Sequence, residues 1–476
     1  MQKLPLMNGV LEYIKKRDIS FCMPGHKGGR GFLTTDEGRK FLDNIVRFDI
    51  TEVEGVDNLH APCGIIKESQ ELLSKYYKSK KSYYLVNGST SGNLIMMFSS
   101  FNEGDKVIIE RNCHNSIYNG IALRKLNPVY IKNRIDNFYD APLSIDMEHF
   151  FKIINENSDA KGIIINYPNY YGFCSNLPVI IREAKKRGMK VLVDSAHGAH
   201  FVASSFLPES SVELGADMTV MSAHKTLSSF NQSAYLHLGN DADIERTDRY
   251  ADAFLSTSPS YMLLCSMEYA RFLLEERGEE NYRNLIEMLN YYREKINELG
   301  FVHAAGREAV KDDIYDIDLT RYVLHVKGTN GFKMMDYLER NGIDGEMTDG
   351  QNVVLIFSPF NTEDELEKLY IVLKNFRKEL WLEKDEKKID IVKTEIPEQK
   401  MKCYEAYDAE KESIDFKDSE GRICGEKIIP YPPGVPLVNT GEVIKRDVID
   451  AIKYYREKGA KLIGINDSII KVCKDK

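Results

Sequence analysis

The chain has 476 residues, a formal net charge of −9 and a pI near 5.7, and this acidity argues against nucleic acid as its main partner. With 43% hydrophobic and 29% charged residues, it has the composition of a water-soluble globular protein of two or three domains. Its eight cysteines form no CxxC pair, no apolar run approaches the roughly 18 residues of a membrane span, and the first residues do not read as a signal peptide. We therefore expect a cytoplasmic protein without a disulfide framework, a metal site or a membrane contact.

The first 60 residues combine one amphipathic stretch with a glycine-rich loop. Leu6–Lys16 has apolar residues at helical spacing and predicts a helix. Phe21–Arg30 contains a Pro-Gly pair and two further glycines, so it predicts a shaped loop rather than a regular element. His26 and Lys27 in this loop are compatible either with a flexible surface segment or with a ligand-facing role.

A strand, a hydroxyl-rich turn and a helix follow one another between residues 82 and 101. Ser82–Val86 predicts the strand, Asn87–Asn93 the turn and Leu94–Phe101 the helix. Free backbone N–H groups and the helix dipole favour an anion at such a turn. An ordinary capped helix start is the alternative, because Ser and Thr are common N-caps.

Further apolar strands end in polar residues. Val107–Ile109 is followed closely by His114, and Gly162–Asn166 predicts the next strand along the chain. Strands that alternate with helices predict a largely parallel sheet, whose carboxyl ends are where ligands bind. His114 is either a hydrogen-bonded loop residue or a ring that stacks on a planar cofactor.

Two strands end in an aspartate and a lysine. Val191–Asp194 carries the aspartate, and Met218–Ser222 precedes Lys225. Taken alone, the aspartate could be a helix cap and the lysine a surface residue. Together they suit pyridoxal 5'-phosphate (PLP), because a lysine can form a Schiff base with its aldehyde and a carboxylate can keep its ring nitrogen protonated. His197 would then lie below or beside the ring, and Ser222 would join the hydroxyl-rich turn at the phosphate.

The second half of the chain predicts a small α/β unit and a distinct tail. Met262–Leu299 predicts a long helix, strands at Tyr322–Val326 and Val353–Phe357 flank a helix at Gly331–Asn341, and a further helix is expected at Leu366–Leu380. A charged linker at 383–388 and a rigid proline-rich segment at 429–437 belong to the tail.

Several motifs, in the same order along the chain, resemble those of the Orn/Lys/Arg decarboxylases, PLP enzymes of fold type I. Asp194–His197 and Ser222–Leu227 carry the resemblance. It extends over nearly the whole chain through the segments Met23–Lys27, Gly55–His60, Asn87–Asn93, Arg111–His114, Thr257–Tyr261 and Pro430–Pro436.

The resemblance implies an aspartate-aminotransferase-like α/β large domain with a mostly parallel sheet, a small α/β domain and an extra C-terminal α+β domain. The expected limits are 1–60 for an N-terminal arm, 61–275 for the PLP-binding large domain, 276–385 for the small domain and 386–476 for the C-terminal domain. It also implies that Lys225 carries the cofactor, Asp194 meets its ring nitrogen, His114 stacks on the ring, and the phosphate contacts are Ser89, Thr90, Ser91, Ser222 and His224.

The implied activity is α-decarboxylation of a basic amino acid, with arginine favoured over lysine and ornithine, in polyamine biosynthesis. The resemblance further implies a short form without the N-terminal wing domain, acting as a homodimer or a dimer of dimers with shared active sites. Ser258 would then reach the partner's phosphate. The alternatives are another fold type I enzyme, such as an aminotransferase or a β-eliminating lyase, and a non-catalytic PLP-binding paralogue. Four acidic residues could accept the distal cation of the substrate: Asp57, Glu346, Glu405 and Asp418.

Overall fold

The computed structural model describes residues 3–311, 313–327, 330–376, 395–431, 435–457 and 459–474. Within those ranges, no helix combines the length and the apolar character needed to cross a membrane. The helices are α1 (Pro5–Lys16), α2 (Asp36–Asp43), α3 (Ile65–Tyr76), α4 (Gly88–Ser100), α5 (Asn115–Leu123), α6 (Met147–Glu156), α7 (Leu177–Lys185), α8 (Ala223–Thr226), α9 (Ile244–Phe254), α10 (Tyr261–Asn297), α11 (Gly331–Arg340), α12 (Glu363–Lys374), α13 (Cys403–Asp408) and α14 (Arg446–Glu457).

A seven-stranded sheet forms the centre of the large domain. Its strands are, in spatial order, β2 (Lys81–Leu85), β11 (Ala234–Leu238), β10 (Met218–Met221), β9 (Lys190–Asp194), β7 (Gly162–Asn166), β3 (Lys106–Glu110) and β4 (Asn127–Ile131). Strand β11 is antiparallel to both of its neighbours, and the pairs from β10 to β4 are all parallel. The apolar strands β10 and β11 are buried throughout, as expected for a sheet covered on both faces. The prediction of a mostly parallel sheet is therefore confirmed.

A second sheet forms the small domain. Its four antiparallel strands are, in spatial order, β12 (Val302–Ala304), β14 (Arg321–Val326), β17 (Asn352–Ile356) and β16 (Met347–Thr348). Strand β1 (Ile19–Phe21) pairs in parallel with β15 (Ile343–Gly345), so the N-terminal segment is tied to this domain. Helix α10 has 37 residues and contacts both α3 and β12, which joins the two domains around one continuous hydrophobic core.

Short antiparallel pairs complete the strands outside the C-terminal region. They are β5 (Asn133–Asp136) with β6 (Ala141–Ile145), and β8 (Phe173–Ser175) with β13 (Ile314–Ile317).

The C-terminal region has a hydrophobic core of its own. Phe416, Ile428, Val448, Ile449 and Ile470 belong to it. Its strands are β18 (Lys411–Asp415), β19 (Ile429–Tyr431), β20 (Lys461–Ile463), β21 (Ile465–Asn466) and β22 (Ile469–Cys473). We propose that the chain divides at the limits expected from its sequence, 1–60, 61–275, 276–385 and 386–476. The expected boundary at 385/386, the charged linker and part of the proline-rich segment lie outside the described residues.

Element boundaries mostly agree with the sequence-based predictions, with two informative differences. The helix expected at Leu94 already begins at Gly88, so the hydroxyl-rich turn forms the first turn of α4. The amphipathic helix α1 forms as predicted, yet it buries none of its residues, and Leu6 is 81% exposed. Helical spacing reveals an apolar face but does not identify what covers it.

Candidate active site

The aspartate identified in the sequence ends one strand, and the lysine closely follows the adjacent strand. Asp194 ends β9 and is directly opposite Val220 of β10, while Lys225 lies in the short helix α8 that follows β10. Lys225 Nζ is 3.0 Å from His197 Nε2. Parallel strands put their carboxyl ends at one edge of the sheet, so the structure brings together Asp194, His197 and Lys225 where a ligand is expected.

A side chain from α4 holds the carboxylate of Asp194. Asn93 Nδ2 donates to Asp194 Oδ2 at 2.7 Å, and the backbone N–H of Ala196 donates to Oδ1 at 3.0 Å. Asn93 is fully buried, and Asp194 is 5% exposed. These two hydrogen bonds fix the orientation of the carboxylate at the end of β9. Asn93 was not predicted as a site residue, because its contact with Asp194 spans 101 residues of the chain.

His114 is tied into the same network and caps α5. Its Nδ1 is 2.9 Å from Ser116 Oγ, which accepts a hydrogen bond from Asn93 Nδ2 at 2.8 Å. His114 is exposed at the protein surface, yet desolvation of its ring by the surrounding protein lowers its pKa, while nearby Asp194 opposes that shift. A neutral imidazole in this position is suited to stack on a cationic aromatic ring.

Burial also controls the protonation of the lysine and its histidine neighbour. The pKa of Lys225 is lowered by burial, an effect partly offset by the carboxylates of Asp194 and Glu346. The pKa of His197 is held well below its usual value by burial and then by the charge of Lys225. A lysine with a lowered pKa offers the neutral amine that attacks an aldehyde.

A segment from the small-domain side braces this cluster. The guanidinium of Arg321, at the start of β14, donates to Tyr170 O at 2.8 Å and to His197 O at 3.2 Å. Its Nε donates to Asp318 Oδ2 at 3.1 Å, so the buried charge is paired. Arg321 was not predicted as a site residue, because the residues around it in the sequence do not indicate its contact with His197, which is 124 residues away.

The glycine-rich loop at 21–30 packs against the lysine segment rather than lying open. The N–H of Gly25 donates to His224 O at 2.9 Å. Lys27 is buried and its Nζ donates to Cys22 O at 2.6 Å and to Ile356 O at 3.0 Å. His26 Nδ1 accepts the N–H of Gly29 at 2.9 Å. Both side chains thus have partners within the protein, and the flexible-surface interpretation of this loop is wrong.

The expected phosphate contacts surround the start of α4 and the turn before Lys225. Asn87 makes no side-chain capping bond to α4, so the first N–H groups of that helix are not capped by it. Ser89 is half-buried, Thr90 is exposed, and the Ser91 hydroxyl donates to Gly88 O at 2.8 Å.

Ser222 and His224 lie in the segment that immediately precedes Lys225. Ser222 Oγ is fully buried without a hydrogen-bond partner among the described residues. His224 Nδ1 lies 2.9 Å from Ser233 O, and burial lowers its pKa to about 4. An orphaned buried hydroxyl and an uncapped helix start are both features that fit a phosphate group, so these residues could hold PLP.

Two other expectations concern residues away from this cluster. Ser258 is exposed and lies in a loop whose Ser256 N–H donates to Asn87 Oδ1 at 3.0 Å. The proposed contact of Ser258 with a partner subunit remains a prediction. Asp57 accepts backbone N–H groups from Cys63, Gly64 and other residues of its loop, so it closes that loop and is a poor candidate for a substrate contact.

Comparison with known proteins identifies the family. Residues 4–325 match the family model described as Orn/Lys/Arg decarboxylase, major domain, and residues 387–472 match Orn/Lys/Arg decarboxylase, C-terminal domain. The chain belongs to the Orn/Lys/Arg decarboxylase family. It is therefore a PLP-dependent carboxy-lyase, and its cofactor is pyridoxal 5'-phosphate, as the resemblance implied.

Full-length relatives and a solved structure agree with this assignment. The chain is 32% identical over 459 residues to the uncharacterized protein YaaO of Bacillus subtilis, covering 94% of this chain and 93% of that one. It is 30% identical over 482 residues to an arginine decarboxylase of the same organism, covering 99% and 98%. The Francisella novicida lysine decarboxylase LdcF has the same fold, with a TM-score of 0.78, 20% identity and coverage of 99% and 81%.

Proposed function

We propose that this enzyme removes the α-carboxyl group of a basic amino acid as CO₂, with arginine preferred over lysine and ornithine. The main support is the cluster in which the half-buried Lys225 has its Nζ 3.0 Å from the buried His197, beside the buried carboxylate of Asp194. Relatives that carry the name arginine decarboxylase, at about 30% identity over nearly the full chain, support the preference for arginine. The amine product would enter polyamine biosynthesis.

In this proposal each residue of the cluster has a defined role. Bound PLP supplies an electron sink for the electron pair of the breaking carbon–carbon bond. Lys225 would hold the cofactor through Nζ, and the same amine is placed to return a proton to the substrate Cα. Asp194 would keep a proton on the ring nitrogen, and His114 would cover one ring face and keep water away from it. The first turn of α4 together with Ser222 would hold the phosphate.

The environment of the cluster favours decarboxylation over transamination. An aminotransferase uses an arginine to clamp the substrate α-carboxylate. The stretch 341–360 contains no arginine, and Arg321 is already paired with Asp318 and bonded to two backbone carbonyls. A decarboxylase gains no rate from binding the departing carboxylate equally tightly in the ground state.

We assign the distal cation of the substrate to Glu346. Its Oε1 accepts the Tyr170 hydroxyl at 2.5 Å and its Oε2 accepts the Met23 N–H at 2.9 Å, so the carboxylate is fixed in position. It is near enough to Lys225 to offset part of the lowering of the pKa of that amine by burial. Glu405 and Asp418 are exposed in the C-terminal region, which makes them weaker candidates.

We also propose a homodimer, or a dimer of dimers, with shared active sites. In this arrangement the exposed Ser258 loop of one subunit contacts the phosphate held by the other. Sedimentation of the PLP-loaded protein at several concentrations, with S258A assayed for cofactor affinity, tests both parts of the proposal. A monomer that is fully active would contradict it.

The substrate assignment is tested by separate assays with arginine, lysine and ornithine. The PLP-loaded enzyme is incubated with each amino acid, and CO₂ and the corresponding amine are quantified. We expect stoichiometric release of both, fastest with arginine, and none from the K225A variant. Release from none of the three amino acids would refute the proposed function, and a faster reaction with lysine or ornithine would refute the preference.

A further inference from the structure

A bidentate ion pair joins the C-terminal domain to the loop that carries His114. Arg111 directly follows β3, and its Nη1 and Nη2 donate to Glu442 Oε1 and Oε2 at 2.5 and 2.8 Å. Glu442 is fully buried, and the side chain of Arg111 is 11% exposed. The N–H of Asn439 also donates to Glu442 Oε2 at 2.7 Å. A bidentate pair fixes both the distance and the orientation of its two groups, and this pair is shielded from water.

The backbone of Arg111 lies three residues from the cofactor-facing ring. Its N–H donates to Ile131 O at 3.0 Å, and its carbonyl accepts the hydroxyl of Tyr118. The short loop from Arg111 then leads to His114, which is bonded through Ser116 to the residues that hold Asp194. A displacement of the guanidinium would therefore be transmitted along a short, hydrogen-bonded segment to the His114 ring.

A second contact from the C-terminal domain reaches the same segment. Lys427 Nζ donates to the side chain of Asn119, which lies on α5, and helix α13 packs against α5. His114 is the N-cap of α5. The loop and the helix that it caps are consequently held by the C-terminal domain at two points.

We propose that Arg111 and Glu442 are positioning residues through which the C-terminal domain sets the orientation of the His114 ring toward the cofactor. This inference rests on the role proposed above for His114. If the pair were purely structural, weakening it would destabilise the contact between the domains. The conformation of the loop at 111–114 would stay unchanged. A positioning pair requires the fork-like geometry of arginine, so the charge alone is insufficient.

The decisive variant is R111K, which keeps a charge pair and loses the bidentate geometry. E442Q removes the charge of the partner, and V448A, in the separate C-terminal core, is the control for lost stability alone. Amide hydrogen exchange of residues 112–120 is measured in the apo protein. The visible circular dichroism of bound PLP and the kinetic constants are measured in the loaded enzyme.

We expect R111K and E442Q to exchange residues 112–120 at least about tenfold faster than wild type. Both should alter the visible circular dichroism and lower kcat with little change in KM, whereas V448A should lower the unfolding temperature alone. Wild-type exchange and dichroism in R111K would overturn the inference even if E442Q failed to fold. Because the exchange experiment uses apo protein, it gives its result whether or not the enzyme decarboxylates a basic amino acid.

Discussion

The contact between Gly25 and the lysine segment gives a quantitative prediction for the substitution of Gly25 by alanine. A Cβ at this position would lie 2.6 Å from Leu227 N and 2.7 Å from Leu227 O, and closer still to the carbonyl carbon of Thr226. Ordinary contacts of a Cβ atom lie between 3.4 and 4 Å, and these neighbours are backbone atoms that cannot rotate away. The loop at 21–30 or the segment carrying Lys225 must therefore move by about 1 Å, a displacement that can cost about 100-fold in rate when it reaches a reacting group.

The expected result for G25A is a fall in kcat of about 10- to 100-fold in the decarboxylation assay, together with a changed visible spectrum of bound PLP. G28A is the matched control in the same loop. A Cβ at Gly28 would meet no atom within 4 Å, but its φ of +65° makes alanine unfavourable by roughly 1 kcal/mol. G28A should therefore lose stability and keep kcat near the wild-type value. A kcat for G25A within threefold of wild type would refute the reasoning.

Three further predictions concern single side chains. E346Q should raise KM for the basic amino acid about 10- to 100-fold, because a charged hydrogen bond is worth roughly 1.5–3 kcal/mol. The control E405Q, at an exposed position, should leave KM unchanged. Equal effects of the two substitutions on KM would contradict the assignment of the distal cation to Glu346. K225A should abolish the visible absorbance band of covalently bound PLP, and a retained band would exclude Lys225 as its attachment point. Burial raises the pKa of Glu110 to about 7, so its contribution to stability is present below the ordinary pKa of 4.5 and is lost as the pH rises toward 7. Wild type should thus lose up to about 3 kcal/mol more than E110Q across that range in denaturant titrations, and parallel pH profiles would contradict this.

The position of the candidate active site in the fold could be predicted from the sequence because its main residues end or closely follow apolar strands. Asp194 and Lys225 were found in this way, and the parallel order of β9 and β10 brings them to the same edge. The strand boundaries were predicted closely for the same reason, since a short buried strand reads as a compact apolar run.

The residues that orient the site could not be predicted from local patterns. Asn93 holds Asp194 across 101 residues, and Arg111 pairs with Glu442 across 331 residues. Such contacts depend on the assembled fold, and a single sequence contains no local trace of them.

Helix α5 was also missed, and its own composition explains why. It contains Gly120, which has low helix propensity, in the sequence NSIYNGIAL. A Cβ at Gly120 would lie 3.0 Å from Met97 Cε, and nearer to its sulfur, so the glycine that weakens the helical pattern lets α5 pack closely against α4 without moving the Met97 side chain. Tertiary packing here overrides local propensity.

The 37-residue helix α10 contacts both the large and the small domain. At 1.5 Å per residue it is about 55 Å long, so a bend of about 5° at its middle would shift one end by roughly 2 Å. Gly278 lies near that middle, where a Cβ would come within 3.0 Å of Ala203 Cβ. Under the proposed assignment of Glu346, such a bend would change the distance between Lys225 and the group that binds the distal cation. Substitutions packed along this one helix, far from the candidate site, would then change which substrate lengths fit.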